Sequence, residues 1–406
     1  MMRYALAKPR ILKTSMTLAA VMAIGLMLTA SSALAWTSLA TTPASTASSL
    51  NAVSCVGDVW TAPPSSTDCY GWGNYTLSGG TTSGAGAKLA SNLLGTYTLG
   101  YAPAGYSTAT IRGVDCAPFS CAQVGEHKGY AIATGSNLAV ALAPSGAVTS
   151  RLNAVSCISG GNCLAVGQYT DSAGHSHGYV AMRSGPSTWS VVYQYLPTET
   201  QDSALTGVSC VDQRCYIVGT HTGGNSPYAI VLTYTWSTAA ITTATLPTGQ
   251  NYRQLNAISC VENTTQTKCE AVGSYKTTST GPTIPLYLQS TFAVGSTSTV
   301  VYTVETGTPA APAGATTTRL NADSCFWDLV NGFRCRVVGD SDATGAVQPY
   351  IGTLTSAAVS AYGATASATG TSCYRPNGAN PANCYDVGTS TTSGVTQAIY
   401  TSIFIP

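Results

Sequence analysis

Charge is scarce in this sequence: only 8 % of its 406 residues are Asp, Glu, Lys or Arg, while 44 % are hydrophobic. Such a chain is not held disordered by self-repulsion and can bury a large apolar core. Past residue 35 there is no apolar run long enough to span a bilayer, which excludes further membrane helices. The common enzyme signatures are missing too: no G-x-S-x-G, no H-E-x-x-H and no nucleotide-binding glycine loop. No motif asks for a cofactor.

What is present begins with an export signal. Arg3, Lys8, Arg10 and Lys13 precede the run "MTLAAVMAIGLMLTA" and the small-residue end Ala33-Leu34-Ala35, so residues 1–35 read as a signal peptide cleaved before Trp36. Its removal leaves 13 basic against 16 acidic residues, about −3, which argues against nucleic acid or anionic lipid as a partner. No cysteine follows the signal to carry a lipid.

The phrase "RLNAVSCISGGNCLAVG" recurs in seven variants, led by "LNAVSC", "IRGVDC", "LNAVSC", "LTGVSC", "LNAISC", "LNADSC" and "ATGTSC". The first cysteines are Cys55, Cys116, Cys157, Cys210, Cys260, Cys325 and Cys373; the second are Cys69, Cys121, Cys163, Cys215, Cys269, Cys335 and Cys384. Four residues after each second cysteine stands a glycine: Gly73, Gly125, Gly167, Gly219, Gly273, Gly339 and Gly388. The gap within a pair varies while its alternating, β-branched flanks stay constant, as expected of a hairpin turn between two strands. In an exported chain each pair is then a disulfide across one hairpin. Zinc is disfavoured because no pair is C-x-x-C and no histidine recurs with the repeat.

After the glycine come a polar loop, a third strand such as "HGYVAMR" and often a fourth such as "WSVVYQYL". Four short strands per 41 to 65 residues is the period of a propeller blade. Pro103, Pro144, Pro197, Pro247 and Pro312 each stand 13 residues before the next first cysteine, and Pro43 stands 12 before Cys55, where a fourth strand should stop. The seventh copy is too short for its own fourth strand, so residues 36–43 are expected to supply it and close the ring. The expectation is an all-β, seven-bladed propeller over residues 36–406, four antiparallel strands and one hairpin disulfide per blade.

The phrase resembles the repeats of secreted bacterial seven-bladed propellers, and its "AVG" is similar to that of the BNR/YCF48-like class. The resemblance implies the fold and leaves activity open, since propellers carry unrelated functions.

Candidate site residues are those that are polar inside apolar strands or that break the repeat. Four positions before each first cysteine stand Asn51, Arg112, Asn153, Thr206, Asn256, Asn321 and Thr369. They form either a hydrogen-bonding ring at the channel mouth or a set of caps on blade-to-blade turns. The four histidines, His127, His175, His177 and His221, fall in loops of three successive copies and could share a patch with Asp171, although no metal is assigned to them. Asp115 and Asp323 replace the usual Ser and Val, and a local salt bridge is expected for each.

The first functional reading is an exported non-catalytic propeller, periplasmic, secreted or on the cell surface, that binds a glycan or an extracellular protein or scaffolds a surface assembly. The alternative is a propeller enzyme, a polysaccharide lyase or hydrolase, with His and Asp in the loop face.

Overall fold

The alternating flanks of every cysteine pair become antiparallel strands, because a side-chain period of two lets one face of a strand pack against each neighbouring sheet. The computed structural model describes residues 37–405 apart from internal segments, the longest being 39–44, 57–67, 90–96, 99–107 and 375–381. The segment 1–35, Pro43 and Pro103 lie outside the described residues. All described regular structure is β, in seven four-stranded antiparallel sheets. Numbered in chain order, sheets 1 to 7 have as first strands Ser45–Val56, Ala109–Ala117, Thr149–Cys157, Ser203–Val211, Gln254–Glu262, Thr318–Asp328 and Thr365–Tyr374. Pro144, Pro197, Pro247 and Pro312 follow the last strands of sheets 2 to 5, where a residue without an N–H ends a ladder at no cost.

Sheet 7 draws three strands from the C-terminal repeat and its fourth from Thr37–Ser38, which pairs with Val395–Ile405, Thr37 opposite Tyr400. All seven disulfides join the first two strands of one sheet, Cys157–Cys163 and Cys210–Cys215 among them, with Cα atoms 3.9–4.1 Å apart.

The recurring glycine has a steric cause. Every first strand carries a β-bulge at the polar position: in sheet 3, Leu152 faces Gly167 and Ala154 faces Val166, leaving Asn153 as the extra residue. The bulge pushes a carbonyl toward the second strand, and a Cβ on Gly167 would lie 2.0 Å from the Arg151 oxygen. The same overlap, 1.9–2.1 Å, recurs at all seven glycines, so only glycine fits opposite the bulge.

The serine before the cysteine ties sheets together. The Cys116 N–H donates to Ser54 Oγ of the preceding sheet at 3.0 Å, and the same bond runs from Cys210 to Ser156, Cys260 to Ser209, Cys325 to Ser259 and Cys373 to Ser324. Cys157 finds Asp115 Oδ2 instead, at 2.7 Å, and Cys55 of sheet 1 donates to Ser372 of sheet 7 at 3.1 Å. Seven bonds thus link every sheet to the next and the last to the first. Between sheets lie the apolar residues preceding the bulges, Leu50, Ile111, Leu152, Leu205, Leu255, Leu320 and Ala368, all 0–3 % exposed. This burial, at roughly 1.5–3 kcal/mol per large aliphatic side chain, is the main force holding neighbouring sheets together.

Candidate acid–base site

The seven bulges surround one axial cavity of about 190 Å³, lined by three consecutive residues from each first strand. Its outer ring is the polar position. Asn51 Nδ2 donates to the Ile111 carbonyl of the next sheet at 2.7 Å; Asn153, Thr206, Asn256, Asn321 and Thr369 do the same to Leu205, Leu255, Leu320, Ala368 and Leu50, at 2.6–2.9 Å. These amides and hydroxyls therefore clasp successive sheets. Arg112 departs from the pattern: its Nη2 reaches Glu126 Oε1 at 2.7 Å.

The second ring is Ala or Gly throughout, since a Cβ on Gly113 would lie 2.9 Å from the Ala154 Cα. The third ring is Val53, Val114, Val155, Val208 and Ile258 in sheets 1 to 5, then Asp323 and Thr371. Five sheets thus present an apolar wall and two a polar one.

Asp323 is 9 % exposed and faces sheet 5, because the adjacent Ser324 bonds to sheet 7 and alternate residues of a strand point opposite ways. Glu270 of sheet 5 faces it from the other side: it stands opposite Ser259, whose Oγ points to sheet 6, and it is fully buried. No oxygen of either carboxyl makes a hydrogen bond of normal geometry; only the backbone N–H groups of Ser259 and Asp323 itself approach the Asp323 carboxyl. Burial pushes both groups well above the usual carboxylate range, and repulsion by Asp323 raises Glu270 further. The Tyr287 and Tyr302 hydroxyls are pushed up as well, by burial first, with smaller contributions from Glu270 and Asp323 respectively. Burial thus favours the neutral form of both carboxyls.

The salt bridges expected for the two repeat-breaking acids do not form. Asp323 has no cation partner among the described residues, and Asp115 accepts hydrogen bonds from the Cys157 N–H and, at 3.3 Å, from Ser54 Oγ. Burial raises the Asp115 carboxyl while these donors pull it down. The physical reason is position: both acids point between sheets, where no arginine is within reach.

Charges gather instead beside the polar ring. Arg319 Nε and Asn321 Nδ2 both donate to Asp340, at 2.8 and 2.7 Å. Arg151 Nη2 donates to Gln168 at 3.1 Å, and burial first, then nearby Arg112, lowers its pKa. Glu126 and Asp340 thus stand beside the polar ring.

The histidines differ in their partners. His127 is buried, Nδ1 2.7 Å from the Thr108 carbonyl. His177 is buried with Nε2 3.0 Å from Asp171 Oδ2, while Asp171 Oδ1 also accepts the backbone N–H groups of Ala173 and His175 and so organises its loop. His175 lies 3.8 Å from Asp202, and His221 stacks on Tyr228 at 5.5 Å. None of them enters a grouping of three metal-ligand types. The one such grouping among the described residues, Glu270 with Cys325 and Cys335, contains two sulfurs already joined in a disulfide and so offers a metal a single ligand.

Glu270 was missed by the sequence reading. Its signal is there, because the residue after the second cysteine is Tyr, Ala, Leu, Tyr, Glu, Arg and Tyr in the seven copies. Glu270 and Arg336 break the pattern at that position, as Asp115 and Asp323 do in the first strand.

No protein-family model and no curated protein matches this chain. Solved structures do. The subtype N11 neuraminidase-like protein of A/flat-faced bat/Peru/033/2010 is 11 % identical over 92 % of this chain and 94 % of its own, with a TM-score of 0.42. The Trypanosoma rangeli sialidase is 10 % identical over 88 % and 54 %, at 0.44. A GH43_1 enzyme from Xanthomonas citri is 8 % identical over 91 % and 90 %, at 0.36. That structures of this kind include enzymes named for glycans overturns the expectation of a non-catalytic binder or scaffold. The likeness is weak in every case, and the chemistry must come from the chain's own residues.

Proposed function

We propose that this chain is a closed seven-bladed propeller enzyme that cleaves a glycan by acid–base chemistry at its axial cavity. The observation that carries this reading is Asp323: the only acidic residue among the described residues lining the cavity, its carboxyl turned between sheets 5 and 6 with no hydrogen-bond donor of normal geometry and with a second buried carboxyl, Glu270, facing it. A carboxyl whose burial favours its protonated form can give its proton to a glycosidic oxygen. Glu126 and Asp340, paired with Arg112 and Arg319 beside the polar ring, are the candidates for the base. The polar ring of Asn51, Asn153, Asn256 and Asn321 acts mainly as the clasp that shapes the cavity, and the His127, His177 and Asp171 contacts brace the loops around it.

Supporting an exported enzyme are residues 1–35 read as a signal, the seven disulfides, which persist in oxidising compartments, and the absence among the described residues of any helix long and apolar enough to cross a membrane. The test is turnover of a polysaccharide panel, with reducing ends reporting hydrolysis and absorbing unsaturated ends reporting elimination. Asp323→Asn is expected to lower turnover about 100-fold or more while leaving the fold at least as stable, since it removes a buried ionisable group. His177→Ala is expected to retain most turnover. An unchanged rate in Asp323→Asn, or no turnover of any substrate, overturns the reading.

A further inference from the structure

A second cavity, of about 300 Å³, lies between sheets 3 and 4 at the end where the hairpins turn, opposite the end of the sheets that carries the bulges. Its walls are Ile158 and Asn162 of sheet 3 with Cys210, Asp212, Gln213 and Trp236 of sheet 4. Three features make it more than a gap between turns. The indole of Trp236 is fixed in place: its backbone N–H donates to the Gln213 carbonyl at 3.0 Å, and its ring packs edge-on against buried Tyr234 at 5.4 Å. Its Nε1 is buried without a hydrogen-bond partner, as are those of Trp72 and Trp189. Around it, the side chains of Asn162, Asp212 and Gln213 make no hydrogen bond within the described structure. Asp212 also holds a left-handed backbone, φ 45°, on the two-residue turn that presents it.

We infer that this cavity is a binding site for a neutral pyranose unit of a glycan chain, separate from the axial cavity. An aromatic ring offers the apolar face that a pyranose C–H surface packs on, and two amides with a carboxylate offer the donors and acceptors that vicinal hydroxyls need. The volume suits one sugar ring, at the lower end of the range for small-ligand sites. An acidic sugar is excluded by charge, because Asp212 is the one charged lining residue and no lysine or arginine lines the cavity. A metal ion is excluded by the single carboxylate. The site holds the chain without cutting it, since no second carboxyl lines it. It does not depend on the axial chemistry.

The experiment is a titration of the full exported chain, carrying Asp323→Asn so that nothing is consumed, with cellohexaose, xylohexaose and maltohexaose. Tryptophan fluorescence and calorimetry give two readouts. One of the three sugars is expected to bind with a fluorescence change, about tenfold more weakly in Trp236→Ala and measurably more weakly in Asn162→Ala and Gln213→Ala, with little effect of salt. The amide variants guard against Trp236→Ala simply misfolding. Three results overturn the inference: no binding of any of the three up to about 10 mM; binding unchanged by all these variants; or a site that takes alkylammonium ions in a salt-dependent way and ignores the sugars, which would make Asp212 and Trp236 a cation box.

Discussion

Two neighbouring junctions occupy the same place in the repeat and solve the same problem differently. Between sheets 6 and 7, Arg336 stands directly after a second cysteine and Thr371 on the cavity wall; between sheets 5 and 6 those positions are Glu270 and Asp323. Arg336 meets Asp386 at 2.6 Å, both essentially buried, and Thr371 Oγ1 donates to the same carboxylate at 2.8 Å. Every charge there has a partner. Glu270 and Asp323 have each other and the backbone, and no cation. The comparison teaches that burial is not what marks a site in this protein, since both junctions are equally dry. What sets the junction between sheets 5 and 6 apart is burial without compensation.

The strongest way to break the comparison is to make the paired junction resemble the unpaired one. Arg336→Met leaves Asp386 buried without its cation, and urea unfolding at pH 7 is expected to show a loss of about 3–5 kcal/mol.

Next comes the pH dependence of the unpaired junction. The folded pKa values of Glu270 and Asp323 are raised, so folding binds protons. Below about pH 4 the unfolded chain holds those protons too, and the contribution is fully present. As pH rises above that point, stability falls by up to about 1.4 kcal/mol per unit for each group until its folded pKa is passed. Thermal melts from pH 3 to 8 should therefore slope downward, and Glu270→Gln should flatten the slope and gain on the order of 1–3 kcal/mol at pH 7. A flat wild-type profile would show that Glu270 and Asp323 are compensated after all.

The smallest effect sharpens the paired side. Thr371→Val removes one donor to Asp386 while the arginine remains, and is expected to cost about 1 kcal/mol in the same unfolding assay. A cost as large as that of Arg336→Met would mean that the hydroxyl, not the guanidinium, compensates the carboxylate.

Much of the architecture is legible in the sequence. Variable gaps between constant flanks identify the hairpins and hence all seven disulfides, and unequal chain ends identify the N-terminal strand that completes sheet 7. Glycine, the bulged polar residue and the serine were visible as a pattern but not as a mechanism. Their reasons, a carbonyl 2 Å from a missing Cβ and an N–H of the next repeat, lie across distances of about 15 to 60 residues or between the two chain ends.

Local chemistry therefore settles from the sequence alone what each repeat becomes, because alternation, turn length and cysteine pairing act within one hairpin. It leaves open what faces what between repeats. Asp323 looked like a candidate for a salt bridge, and Glu270 like nothing in particular. Only the stacking of sheet 5 on sheet 6 turned them toward each other, because a side chain's partner across a sheet junction comes from a strand whose distance in sequence carries no signal of contact.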